Sequence, residues 1–147
     1  MKNITSLSQL LSLCIATAAL CACKGLPTYQ PQPNQPLATI KLSPTIATDT
    51  LGMCDSAVCY VLKPIHGELQ VPVDHRLVLY KVLVASGYRV MYSCTPALSF
   101  VPYAGTTYYV DFALRAEHCF LNLYRENPGS RVGIAFDPTV RGIPAKR

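Results

Sequence analysis

The 147-residue chain contains no tryptophan, four phenylalanines and few charges, with Asp, Glu, Lys and Arg together at 14%. Tyrosine, at nine copies, is left to supply most of the aromatic surface. The motifs of several chemistries are also missing. There is no HExxH for a zinc hydrolase, no Gly-x-Ser-x-Gly elbow for a serine hydrolase and no Gly-rich phosphate loop. A formal charge of +5 is modest and no nucleic-acid-binding motif accompanies it, so nucleic acid is not an expected partner. The apolar run Leu10–Leu20 falls short of the roughly 20 residues needed to span a bilayer as a helix.

That run has another use. Lys2 precedes it and the tetrapeptide Leu20-Cys21-Ala22-Cys23 closes it, which is the layout of a cleavable export signal. The tetrapeptide resembles the lipobox of bacterial lipoproteins: Leu, a tolerant position, a small residue, then Cys. The resemblance implies that Cys23 is thioether-linked to diacylglycerol, becomes the new N-terminus and is N-acylated. One acyl chain binds a membrane marginally, whereas two or more hold it firmly. In that family an Asp directly after the lipidated Cys favours inner-membrane retention. Lys24 stands there instead, which points to the outer membrane, facing the periplasm. The domain boundaries expected on this reading are a signal peptide over 1–22, a lipidated N-terminus and tether over 23–38, and a folded domain over 39–147.

Cysteine arithmetic agrees with export. Of the seven cysteines, Cys14 and Cys21 leave with the leader and Cys23 takes the lipid. Cys54, Cys59, Cys94 and Cys119 remain, an even set for an oxidising compartment. Four cysteines allow three pairings. Cys54 and Cys59 are close enough to staple a turn at Asp55-Ser56. Cys94 shares parity with Tyr88, Val90 and Tyr92, and Cys119 with Leu121 and Leu123. Both are therefore expected on inward apolar faces where they can meet. A redox role for the Cys-x4-Cys at Cys54 is disfavoured, because thioredoxin-type motifs have two intervening residues and a helix after the first Cys. The spacing of cysteines and histidines has no zinc-finger form, and neither a metal nor a cofactor is expected.

Residues 25–37 carry Pro27, Pro31, Pro33 and Pro36 among Gln, Asn and Thr. Such a tract is expected to be extended and solvated, a spacer of about 3 Å per residue. Beyond it the pattern is of short strands. Thr39–Leu42 is a weak one, 45–53 is ambiguous, and Ala57–Leu62 is strong. Glu68–Val73 alternates, but Pro72 marks an edge strand or a strand end. Residues 75–86 fit either a helix capped by Asp74 or a strand, and their β-branched and aromatic content favours the strand. Tyr88–Cys94, Ala97–Val101, Thr106–Leu114, His118–Tyr124 and Val132–Phe136 follow. Within Thr106–Leu114, the residues Tyr108, Val110, Phe112 and Leu114 share one face. The expected fold is all-β, a small antiparallel β-sandwich of Ig-like or transthyretin-like type.

The segment Ser93–Tyr108, with Cys119 downstream, is similar to a pattern in small bacterial lipoproteins with a β domain. There a Cys, a Ser-Phe-x-Pro, an Ala-Gly, a Tyr and a second Cys recur. The resemblance implies a structural role for Cys94 and Cys119 and brings no activity.

Catalytic candidates are thin. His66, His75 and His118 are scattered, and Glu68, Asp74, Asp111, Glu117, Glu126 and Asp137 form no sequence-evident pair of the kind a glycosidase needs. No catalytic residue is assigned, and the protein is expected not to be an enzyme. Tyr103, Tyr109 and Tyr124 are the candidates for a partner-contacting surface, for an envelope protein or peptidoglycan. The alternatives are a small periplasmic hydrolase of glycan or peptide, or an inhibitor of one. The mildly basic end, Arg131, Arg141, Lys146 and Arg147, reads as a solvated tail.

Overall fold

The computed structural model describes residues 25–44, 46, 51–87, 89–115 and 118–143, with backbone only at 85–87, 90 and 92. The leader, Cys23, Lys24, Glu117, Lys146 and Arg147 lie outside the described residues, as do the side chains of Tyr88, Val90 and Tyr92. The fold is all-β. Its strands are β1 (Leu37–Leu42), β2 (Leu51–Asp55), β3 (Val58–Val61), β4 (Glu68–Pro72), β5 (Leu77–Lys81) and β6 (Leu83–Gly87). The second half contributes β7 (Val90–Cys94), β8 (Ala97–Phe100), β9 (Thr107–Arg115), β10 (His118–Glu126), β11 (Ile134–Phe136) and β12 (Arg141–Ile143).

Two five-stranded sheets form the sandwich. Sheet 1 has the order β11-β10-β9-β1-β4, and sheet 2 the order β12-β8-β5-β2-β3. The inner face of sheet 1 presents Ala38, Ile40, Leu69, Val71, Tyr108, Val110 and Leu123. That of sheet 2 presents Leu51, Met53, Leu77, Leu79, Leu98 and Phe100. These positions follow the period of two that puts alternate side chains on one face. Tyr108 meets Phe100 across the core edge to face, with ring centroids 5.4 Å apart, a favoured aromatic geometry. Its hydroxyl accepts the Tyr103 N–H at 3.2 Å, so its polar end is satisfied.

Lys81 ends β5 on this inner face, 1% exposed, with Nζ 5.5 Å above the Phe112 ring. A cation over an aromatic face gains from the ring quadrupole, more so when desolvated. On the opposite face of sheet 2, Tyr80 lies over Gly52, its partner across the β2–β5 ladder. A Cβ on Gly52 would collide with the Tyr80 ring, so glycine is required there for the aromatic cover.

The edge reading of Pro72 holds: it is the last residue of β4, the outermost strand of sheet 1. Within 75–86 the chain is strand from Leu77 on, but not one strand. The segment breaks at Val82, with β5 staying in sheet 2 and β6 leaving to pair with β7 as a separate two-stranded hairpin. One ladder departs from the antiparallel expectation. β1 pairs antiparallel with β4 and parallel with β9.

Both cysteine pairings are as expected. Cys54 and Cys59 face each other across the β2–β3 ladder, Cα atoms 4.0 Å apart, beside a turn where Ser56 takes a positive φ of 53°. Cys94 joins Cys119 with Cα atoms 6.4 Å apart. The inward placement of this second bridge does not hold. β7 belongs to the projecting hairpin, and β9 and β10 run on past the sandwich, so Cys94 and Cys119 are only half-buried and Leu114 is 62% exposed. The bridge ties the β6–β7 hairpin to the overhanging β9–β10 hairpin. It spans 25 residues, for which chain-entropy arguments give about 3 kcal/mol. Cys94→Ser/Cys119→Ser should lower the urea midpoint accordingly. Cys54→Ser/Cys59→Ser, closing only five residues, should lower it less.

The proline-rich tract is not solvated throughout. Val61 N–H donates to Pro27 O at 2.9 Å and Tyr29 N–H donates to Val61 O at 3.0 Å, so Thr28 pairs parallel with the outer edge of β3. The Tyr29 ring stands edge-on to Tyr60 at 5.6 Å. Residues 30–36 then cross to sheet 1, where the chain enters β1.

Candidate functional site: the outer face of sheet 1

The solvent face of sheet 1 carries one continuous row across all five strands. The registers place Phe136 beside Tyr124, Tyr124 beside Tyr109, Tyr109 beside Lys41 and Lys41 beside Glu68. At about 4.8 Å between strands, the row spans roughly 19 Å. The Tyr124 and Phe136 rings are tilted against each other with centroids 5.1 Å apart. Lys41 Nζ sits 5.8 Å from the Tyr109 ring centroid and 3.8 Å from Glu68 Oε1. Both members of that ion pair are about half exposed, so it contributes at most a fraction of a kcal/mol and serves mainly to hold the ammonium over the ring. Phe136 is 77% exposed.

Hydrogen-bonding side chains flank the row. On one side Gln70 Nε2 donates to Thr39 Oγ1 at 3.1 Å, between directly paired residues. On the other, Ser43 Oγ donates to Asp111 Oδ1 at 2.7 Å, and Asn122 lies opposite Asp111. The arrangement offers flat aromatic faces, one cation, one carboxylate and amide and hydroxyl groups. Chemically it is suited to apolar ring faces edged by polar groups.

Of the three tyrosines singled out from sequence, Tyr109 and Tyr124 meet here. Tyr103 does not. It lies in the turn before β9, 44% exposed, where its carbonyl accepts the Thr106 N–H. Phe136, Lys41 and Glu68 complete the row and were not anticipated. The alternation of Lys41 with Ile40 and of Phe136 with Ala135 was visible. The neighbours that each strand would acquire were not.

The acidic residues take separate roles. Asp137, buried, caps a turn: its Oδ1 accepts from Thr139 N at 2.8 Å and Thr139 Oγ1 at 2.5 Å, and Arg125 Nη1 is 3.9 Å from Oδ2. Thr139 in turn binds Val101 N and, through its carbonyl, Arg76, which fastens the C-terminal segment to sheet 2. His75 holds Val73 O at 2.7 Å through Nδ1, and its Nε2 is 3.1 Å from Asp55 Oδ2, off the hydrogen-bonding direction. Among the described residues, no three His, Cys, Asp or Glu side chains converge as a metal site would require. A groove of about 410 Å³ runs between the docked tether and β4, lined by Tyr29, Leu62, Lys63, His66, Glu68 and Gln70 among others. Its polar groups line the walls singly.

No helix among the described residues is long and apolar enough to cross a membrane. The chain matches no protein family, no curated protein and no solved structure.

Proposed function

We propose that this is a lipid-anchored protein of the bacterial envelope, tethered at Cys23 and non-enzymatic, whose sandwich recognises a protein or cell-wall partner through the outer face of sheet 1. The Leu20–Cys23 tetrapeptide supports the anchor, and Lys24 favours the outer membrane, with the domain in the periplasm. The observation that carries the binding reading is the five-strand row Phe136–Tyr124–Tyr109–Lys41–Glu68. Aromatic side chains are enriched where surfaces recognise partners, and Lys41 adds a cation held at the Tyr109 ring. Their polar flanks suit the hydroxyls and amides of a wall glycan as well as a protein.

The test is crosslinking in intact cells followed by affinity capture and mass spectrometry. The Tyr109→Ala/Tyr124→Ala/Phe136→Ala variant should lose the crosslinked species. Met91→Ser, on the projecting hairpin, should keep it. Absence of any reproducible partner for the unaltered protein, together with turnover of a wall fragment by the purified protein, would overturn the reading in favour of a hydrolase.

A further inference from the structure

The docked tether fixes which end of the domain lies nearest the anchor. Thr28 pairs parallel with Val61, so the chain upstream of Pro27 runs back along β3 toward Val58 and the β2–β3 turn. Cys23 is four residues before Pro27, at most about 14 Å away even when fully extended. β3 itself, four residues long, covers about 13 Å. A lipid on Cys23 therefore emerges beside the β2–β3 end of the sandwich. The proline-rich tract supplies no standoff there, because it lies on the body side of the docking point.

That end has the surface to match. Leu26, Val58 and Tyr103 are all about half exposed. The β4–β5 and β8–β9 loops join there through the bond from Asp74 N–H to Pro102 O. Two of its polar groups are tied down: Asp55 lies by His75, and the Arg76 guanidinium donates to the Ser99 hydroxyl and the Thr139 carbonyl. The opposite end carries the β6–β7 hairpin and the overhang of β9–β10, with Val84, Met91, Leu114 and Phe120 exposed.

We propose that the β2–β3 end rests on the lipid surface, with Leu26, Val58 and Tyr103 at the headgroup level, and that the disulfide-linked hairpins point away from it. This rests on the acylation of Cys23. Side chains of this kind, apolar or aromatic with a polar tip, favour the membrane–water interface.

The absence of tryptophan makes the test direct. Single-tryptophan variants Val58→Trp, Leu26→Trp and Met91→Trp are purified as the acylated protein. They are then placed in phosphatidylethanolamine–phosphatidylglycerol vesicles with and without brominated lipid. Val58→Trp and Leu26→Trp should lose most of their emission to the brominated lipid, and Met91→Trp should keep nearly all of it. Lengthening the chain between Lys24 and Leu26 with a Gly-Ser insert should restore the Val58→Trp emission. Equal quenching at the three sites, or quenching at Met91→Trp alone, would overturn the orientation while leaving the anchor intact. A purified protein whose mass lacks the acyl groups would overturn both.

Discussion

Tyr108→Ala should destabilise the domain by about 3–5 kcal/mol, the range for truncating a fully buried aromatic. Small domains have only about 5–15 kcal/mol in total, so the variant should be partly unfolded at physiological temperature. Tyr108 is 0% exposed, packs edge to face on Phe100 and accepts the Tyr103 N–H. It thus joins both sheets and the loop between them. Tyr108→Phe keeps the packing and should cost about 1 kcal/mol for the lost hydrogen bond. Urea midpoints at constant slope would check both.

The same residue sets an alkaline limit. Burial raises the Tyr108 hydroxyl above its ordinary 10.0, with the Tyr103 N–H pulling it down and Asp137 pushing it up. Tyr29 is raised as well, by burial and then by Asp55 and Tyr60. Below pH 10 both folded and unfolded chains hold these protons and stability does not depend on them. Above it the unfolded chain releases them first, so stability falls as pH rises through the folded values. Tyr108→Phe should flatten part of that fall. An unchanged alkaline slope would remove Tyr108 from the explanation.

Cys23→Ala should have the largest cellular effect. Incorporation of a clickable fatty acid should drop to background and the precursor should remain uncut. The neighbouring thiol of Cys21 is not expected to substitute, because a cut before it would put Leu20 at the small-residue position of the tetrapeptide. Cys21→Ala should leave both events unchanged, because it occupies the tolerant position of the tetrapeptide. Labelling that survives Cys23→Ala would place the modification elsewhere and remove the basis for the anchor.

Much of the architecture could be read along the chain. The alternation of Thr106–Leu114, the apolar run Ala97–Val101 and the Pro72 stop each correspond to an observed strand or edge. β2 was hidden, because 45–53 mixes threonine, glycine and alanine, and Leu51–Asp55 has its strand neighbours only from the distant pairing with β5 and the hairpin with β3. Leu114 illustrates a different limit. Its parity with Tyr108 and Val110 is right, but β9 has left the sandwich by that point and no opposing sheet covers it. Parity gives the face and says nothing of where the other layer ends. The break at Val82 is similar: Leu77–Val84 carries no turn residue and yet serves two sheets. For the candidate surface, single strands showed Tyr109 and Tyr124, while the row needed the parallel β1–β9 ladder that links residues 68 apart. No local signal encodes that pairing.

This ladder bears on how the molecule is assembled. A chain delivered from its N-terminus presents β1 first, yet β1 has no place until β4 flanks it on one side and β9 on the other. The place of β1, between β9 and the edge strand β4, therefore stays incomplete until most of the polypeptide has been delivered. Contacts so distant along the sequence carry a large loop-closure cost before they reward it, which slows all-β domains into the millisecond-to-second range. For that interval Ile40 and Leu42, with the backbone of β1 unpaired on the side that β9 will take, are exposed to capture by other chains. A holding chaperone that masks Leu37–Leu42 would protect the step on which the whole sandwich waits.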